Sequence, residues 1–187
     1  MNSSGDEQSE LETAAMLSVD DLPEAPIAVE NPGGTRIENR DEPDSSELVT
    51  VIGLGGKRVE LHRLAAAFWF RLVDSARADG LRSPLLLPLS GFRTSKRQEE
   101  LWSQAVKRYR SEEAAQRWVA KPGQSAHHSG RAIDCWLGTP TDSKNVRLQR
   151  DSDAWAWLNE NAERFGFYPY PDEPWHWEYN PPWSDAT

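Results

Sequence analysis

From Leu48 onward the chain is predicted to fold as an α+β domain, and three observations predict it. Stretches with apolar residues at i, i+4 spacing read as helices. Short apolar runs bounded by glycine, proline or polar residues read as strands. The two kinds are mixed along the chain without the regular βαβ alternation of a parallel sheet.

The elements follow in order. Leu48–Ile52 and Lys57–Leu61 flank Gly53-Leu54-Gly55-Gly56 and read as two short strands around a turn. That glycine cluster lacks the Gly-Lys-Ser/Thr ending and the helix start of a phosphate loop, which excludes that reading. Leu61–Asp79 is predicted as a helix, with Leu64, Phe68, Leu72 and Ala76 on one face and Gly80 as its stop. Leu85–Leu89 reads as an apolar strand. Ser95–Arg110 is a second helix, with Thr94 as N-cap and Leu101, Trp102, Ala105 and Tyr109 facing inward. Ser111–Val119 is a third, capped by Ser111. Arg131–Leu137 is a strand, Gly138–Arg150 a polar loop, and Ser152–Phe165 a helix with Trp155, Leu158 and Ala162 inward and Gly166 behind it. Trp175–Tyr179 is the last strand.

The net charge of −9 is unevenly distributed. Residues 1–47 hold 13 Asp/Glu against Arg36 and Arg40, a balance of −11, whereas the rest of the chain stands at +2. The acidic, Ser- and Pro-rich segment 1–47 has too little apolar surface to offset its ordering entropy, so it is expected to be a disordered tail preceding a domain over 48–187. A weak helix around Leu11–Leu17 and a docking role for the tail are secondary readings. A chain begun near Leu48 is expected to keep fold and activity. A near-neutral domain without a basic stripe excludes a nucleic-acid footprint. No apolar run approaches the ~20 residues of a membrane span. The single Cys135 excludes an internal disulfide framework.

The chemistry concentrates around histidines. Ser125-Ala126-His127-His128-Ser129-Gly130-Arg131-Ala132-Ile133-Asp134 holds two of them beside an acid, and Glu173-Pro174-Trp175-His176-Trp177 holds another. A catalytic zinc takes three protein ligands and keeps a fourth position open for water. His127, Asp134 and His176 supply two imidazoles and a carboxylate, and Glu173 is left free to act as a base. His128 is read as a neighbour of the site rather than a ligand, His62 as a helix-surface residue, and Cys135 as a core thiol facing away from Asp134. Trp175 and Trp177 alternate with His176, and one or both are expected to wall the substrate cleft.

The pattern Ser-x-His-x-x-Gly-x-Ala-x-Asp followed by Glu-x-x-His resembles the zinc D-alanyl-D-alanine carboxypeptidases of the vancomycin-resistance type, a group that includes L,D-carboxypeptidases and phage peptidoglycan endopeptidases. Ser90-Gly91-Phe92-Arg93-Thr94-Ser95 with Gln98, Pro122-Gly123, and Glu163-Arg164-Phe165-Gly166-Phe167 extend the resemblance in the family's order from about Leu85 to Tyr179. It implies one Zn²⁺ on His127, Asp134 and His176, Glu173 as catalytic base, Arg93 as the charge-stabilising arginine, and Ser125 and Gln98 as substrate contacts. It also implies the small, mostly antiparallel sheet with flanking helices shared with the Hedgehog signalling domain. Cys135 after the aspartate and the short loop after Leu137 depart from the family pattern.

The expected activity is hydrolysis of peptidoglycan stem peptides by a D,D- or L,D-carboxypeptidase. A lysis protein or delivered toxin with endopeptidase activity, and a non-catalytic zinc-stabilised binding module, are the alternatives. Retention of Glu173 and Arg93 argues against the module. The N-terminus has neither a basic start nor an apolar stretch, so no secretory signal is read. Synthesis in the cytoplasm is expected, with action on the cell wall after release or non-standard export and a delivery or secretion partner for the tail. Whether Arg93 meets the developing oxyanion or the substrate's terminal carboxylate is open in the sequence.

Overall fold

A computed structural model describes Ile37 and residues 40–181. The Leu11–Leu17 helix reading lies outside the described residues. An antiparallel hairpin opens the domain, with β1 at Leu48–Ile52 and β2 at Arg58–His62. It runs directly into helix α1, Arg63–Ala78, whose buried face carries Ala65, Phe68, Trp69, Leu72 and Ala76. His62 is not a surface residue. It is 4% exposed and caps α1, its Nδ1 accepting from Leu64 N–H at 3.3 Å. A lone histidine before an amphipathic run gives no sequence sign of this.

Next come β3 (Pro88–Ser90), α2 (Ser95–Tyr109) and α3 (Glu112–Gln116). They are followed by β4 (Ala132–Cys135), α4 (Val146–Arg150), α5 (Asp153–Asn161), β5 (Phe167–Tyr170) and β6 (Glu173–Tyr179). Thr94 and Ser111 cap their helices as expected, accepting from Arg97 N–H and Ala114 N–H. The apolar run at Leu85–Leu89 pairs as a strand only from Pro88, because Leu86 sits at a positive φ of 65° and breaks the ladder. The segment read as a polar loop contains α4, and β5 appears where no strand was expected.

The larger sheet has the order β3-β4-β6-β5, antiparallel throughout. Successive side chains in a strand point to opposite faces. One face of the β4–β6 pair carries Ile133, Cys135, Trp175 and Trp177 into the main core with α1 and α5. The other face therefore carries Asp134, His176 and Glu178. The register sets Asp134 directly opposite His176 and Ala132 opposite Glu178, so the sheet itself delivers two of the expected metal ligands to one place.

Candidate metal centre

The remaining ligand comes from a 3-10 turn, Ala126–Ser129, ended by Gly130 at a φ of 68°. This turn is tied to the segment after β3 by three bonds. His127 Nδ1–H donates to Gly91 O at 2.8 Å, Arg93 N–H to His127 O at 3.1 Å, and His128 Nδ1–H to Arg93 O at 2.7 Å. The two upstream motifs are thus one structural unit. Gly91 is required there, because a Cβ would stand 2.2 Å from Glu60 O of β2.

Since a carbonyl only accepts, His127 carries its proton on Nδ1 and leaves the Nε2 lone pair free. That atom is 3.4 Å from Asp134 Oδ2, and His176 Nδ1 is 3.0 Å from Asp134 Oδ1. The ligand atoms of His127, Asp134 and His176 all lie within 4.8 Å of one another. Around a tetrahedral ion with bonds of about 2.0–2.1 Å, neighbouring ligand atoms are separated by about 3.3 Å. The observed spacings therefore fit the edges of a coordination polyhedron, and the donor set of two imidazoles and one carboxylate fits a divalent cation of zinc's preferences.

The electrostatics agree at Asp134 and His127, whereas at His176 the opposing effect of burial is outweighed by hydrogen bonds to Asp134 and Glu178, which push the imidazole up to about 10. Burial alone would raise the Asp134 carboxyl, but the adjacent His127 and His176 hold it well below the usual carboxylate range. Burial pushes the His127 imidazole down against the pull of Asp134, which favours the neutral, ligating form. Glu173 is pushed up to about 7, first by burial and then by the Asp134 charge, with His176 and Arg93 opposing. A carboxyl titrating near neutrality beside a metal-type triad suits a proton carrier.

The cleft over these groups has a volume of about 420 Å³, and its walls include Arg93, Ser125, Tyr170, Glu173 and Trp175. Among the expected substrate contacts, Ser125 and Trp175 meet the cleft. Gln98 and Trp177 do not. Gln98 is 0% exposed; its Oε1 accepts from Arg93 Nη1 at 2.9 Å and its Nε2–H donates to Ala120 O at 2.6 Å. It holds the arginine rather than lining the cleft, and Ser90 Oγ accepts a second guanidinium bond at 3.3 Å. Trp177 is 1% exposed in the core, its indole N–H donating to Pro174 O at 3.0 Å. Strand alternation turns it away from His176, while Trp175, nearer the strand's start, still reaches the cleft edge.

Sequence reasoning missed Tyr170, whose ring lies 5.6 Å from that of His176. It also missed Glu178, whose Oε1 is 3.3 Å from His176 Nε2. The second was within reach, because a residue two beyond a strand ligand shares its face. Cys135 lies fully buried in the core, with its thiol pushed far up by burial, as a packed thiol is expected to be. His128 is buried and braces the Arg93 backbone.

Two imidazoles, a carboxylate, a glutamate held near neutrality and a braced arginine share one cleft, a set of groups suited to holding a single divalent cation. Comparison with known proteins specifies it further. Residues 58–182 match the VanY family model, D-alanyl-D-alanine carboxypeptidase, and the chain belongs to that family. It is 33% identical over 144 residues to a D-alanyl-D-alanine carboxypeptidase of Enterococcus faecalis, covering 66% of this chain and 49% of that relative. The chain thus spans about half the length of that curated relative. Among solved structures, the LdcB LD-carboxypeptidase superposes with a TM-score of 0.64 at 26% identity, over 75% of this chain and 70% of the other. A mutant of the vancomycin-resistance D,D-pentapeptidase VanY, from a VanB-type cassette and in complex with Zn(II), gives 0.53 at 29% identity, over 74% and 82%.

Proposed function

We propose that this chain is a zinc-dependent carboxypeptidase that removes the terminal residue from peptidoglycan stem peptides ending in D-alanine. The observation that carries the reading is the convergence of His127, Asp134 and His176 within 4.8 Å in the cleft that also holds Glu173. Membership of the family and the Zn(II) complex of a related pentapeptidase support it. When bound, Zn²⁺ supplies a Lewis acid and a water acidified toward neutrality.

The chain's own residues do the rest. Glu173, ionised, takes a proton from the attacking water and returns it to the leaving amine. Its raised proton affinity makes the second transfer efficient, since a strongly acidic carboxyl would hold no proton to deliver. Arg93, fixed by Gln98 and Ser90, faces the cleft as a positive charge. Such a charge stabilises either the developing oxyanion or the carboxylate at the substrate's end. Ser125 and Trp175 would contact the peptide.

Mass spectrometry of defined muropeptides after digestion tests the proposal. Loss of a single alanine from a pentapeptide is the D,D-activity, and loss of one from a tetrapeptide is the L,D-activity. Internal cleavage replaces the carboxypeptidase reading with an endopeptidase. No cleavage by the zinc-loaded protein refutes both.

A further inference from the structure

Glu178 lies on the cleft face of β6, two residues beyond His176 and opposite Ala132. It is 5% exposed, and a buried carboxylate needs hydrogen-bond donors to be tolerated. One oxygen faces His176 Nε2 at 3.3 Å; the other accepts the Ile37 backbone N–H at 2.8 Å. Ile37 is 4% exposed and packs with Ala126 and Ala132, the neighbours of the His127 turn and of Glu178. The same segment continues along the cleft. Arg40 donates from Nε to Ile37 O at 3.2 Å and from Nη1 to Gln124 O at 2.7 Å. The Glu42 carboxylate accepts Ser95 N–H at 2.7 Å and Ser95 O–H at 2.6 Å, at the start of the helix that carries Gln98. Ile37, Arg40 and Glu42 all precede residue 58, where the family match begins.

We infer that Glu178, anchored by the Ile37 backbone N–H, is a positioning residue that fixes His176 in its metal-competent tautomer, making Ile37, Arg40 and Glu42 built parts of the site. This rests on the metal reading proposed above. A carboxylate oxygen on Nε2 favours the neutral ring form that carries its proton there, and that form frees Nδ1, which lies 3.0 Å from Asp134 Oδ1, for a cation. With the anchor gone, the ring can place its proton on Nδ1 and donate to Asp134. Two ligands would then be consumed in one hydrogen bond. The Ile37 N–H holds the carboxylate where its other oxygen meets Nε2, and the Ile37 side chain is seated by Ala126 and Ala132.

The test uses the full chain with four substitutions. Glu178→Ala should weaken zinc binding, measured by competition with a chromophoric chelator, by about 10–100-fold, the usual worth of such a partner. Glu178→Gln, which keeps an acceptor oxygen, should recover part of it. Ile37→Pro removes the N–H without touching any cleft side chain, and should weaken zinc binding more than Ile37→Ala, which keeps the N–H and loses the packing. Nitrogen-15 NMR of the histidines in zinc-loaded protein should show a slowly exchanging His176 Nε2–H in the unsubstituted chain, and faster exchange of that proton with solvent in Glu178→Ala. If Glu178→Ala fails to fold by circular dichroism, the Ile37 pair decides alone. Equal zinc affinity for Ile37→Pro and Ile37→Ala, or a His176 Nε2–H that exchanges no faster in Glu178→Ala, overturns the inference. An unsubstituted chain that binds no zinc overturns the metal reading instead.

Discussion

Replacing Glu173 with glutamine separates proton transfer from metal binding, and the structure gives both effects a size. Glu173 titrates near 7 in the folded chain against an ordinary value of 4.5. At about 1.4 kcal/mol for each unit, ionising it in the metal-free fold costs about 3 kcal/mol relative to the unfolded chain. The sign follows from proton binding. Between 4.5 and 7 the folded state holds more protons than the unfolded state, so the stabilisation is fully present below 4.5 and is lost as pH rises toward 7. Glutamine cannot ionise. Metal-free Glu173→Gln should therefore match the unsubstituted chain's stability near pH 4 and exceed it by up to about 3 kcal/mol at pH 8. Bound zinc, by favouring the carboxylate, should shrink that gap. Turnover on a cell-wall peptide should fall by about 10²–10⁴ while zinc stays near stoichiometric. Under the same assay His176→Ala should lose metal and activity together. Urea unfolding of chelated protein across pH, elemental analysis and turnover check all three. A variant that gains no stability at pH 8 refutes the account of the raised carboxyl. One that loses zinc as His176→Ala does makes Glu173 a ligand, and one that keeps full turnover removes it from the mechanism.

Three further outcomes follow from the packing. Cys135→Ala should keep zinc and most activity at a cost of about 1–2 kcal/mol, measured by urea unfolding, because the thiol is core filling on the face opposite Asp134. Gln98→Leu should lower kcat/KM at least about tenfold and stability by about 1–3 kcal/mol, since it leaves the buried Arg93 guanidinium and Ala120 O without their partner. A chain begun at Leu48 loses the Ile37, Arg40 and Glu42 contacts and should melt lower than one begun at Arg36, with reduced zinc affinity. Equal melting points would restore the plain reading of residues 1–47 as a dispensable tail.

The candidate site was legible because the three residues that converge in it lie in short local patterns. His127 sits in a glycine-ended turn that leads straight into β4, and Asp134 and His176 lie on strands with strong apolar alternation. The supports were hidden for identifiable reasons. Strand β5 contains Pro169 and precedes Pro171, which demotes a strand reading, yet β5 is an edge strand and edges tolerate proline. Helix α4 has no apolar face to generate periodicity, and its Leu148 is 58% exposed. Gln98 reads as a surface residue of an amphipathic helix until Arg93 is placed beside it. Ile37 is an isolated apolar residue in an acidic stretch, and its partner lies 141 positions away, a separation that no local pattern reports.

The same alternation also explains why the core decides the metal geometry. A one-residue slip of β4 would turn Asp134 into the core and Ile133 into the cleft, and a slip of β6 would do the same to His176 and Trp177. Burying either of those apolar side chains is worth about 2–3 kcal/mol. Burying an unpaired carboxylate in their place costs several kcal/mol more. The register that sets Asp134 opposite His176 is therefore held by hydrophobic burial on the far face of the sheet, and the ligands inherit their spacing from it. On the metal reading proposed above, Ile133 and Trp177 would contribute to metal affinity without touching the cleft. Substitutions that loosen Ile133 or Trp177 should then weaken zinc binding in proportion to the order lost in that strand pair, a dependence that hydrogen exchange at the β4 and β6 amides can follow directly.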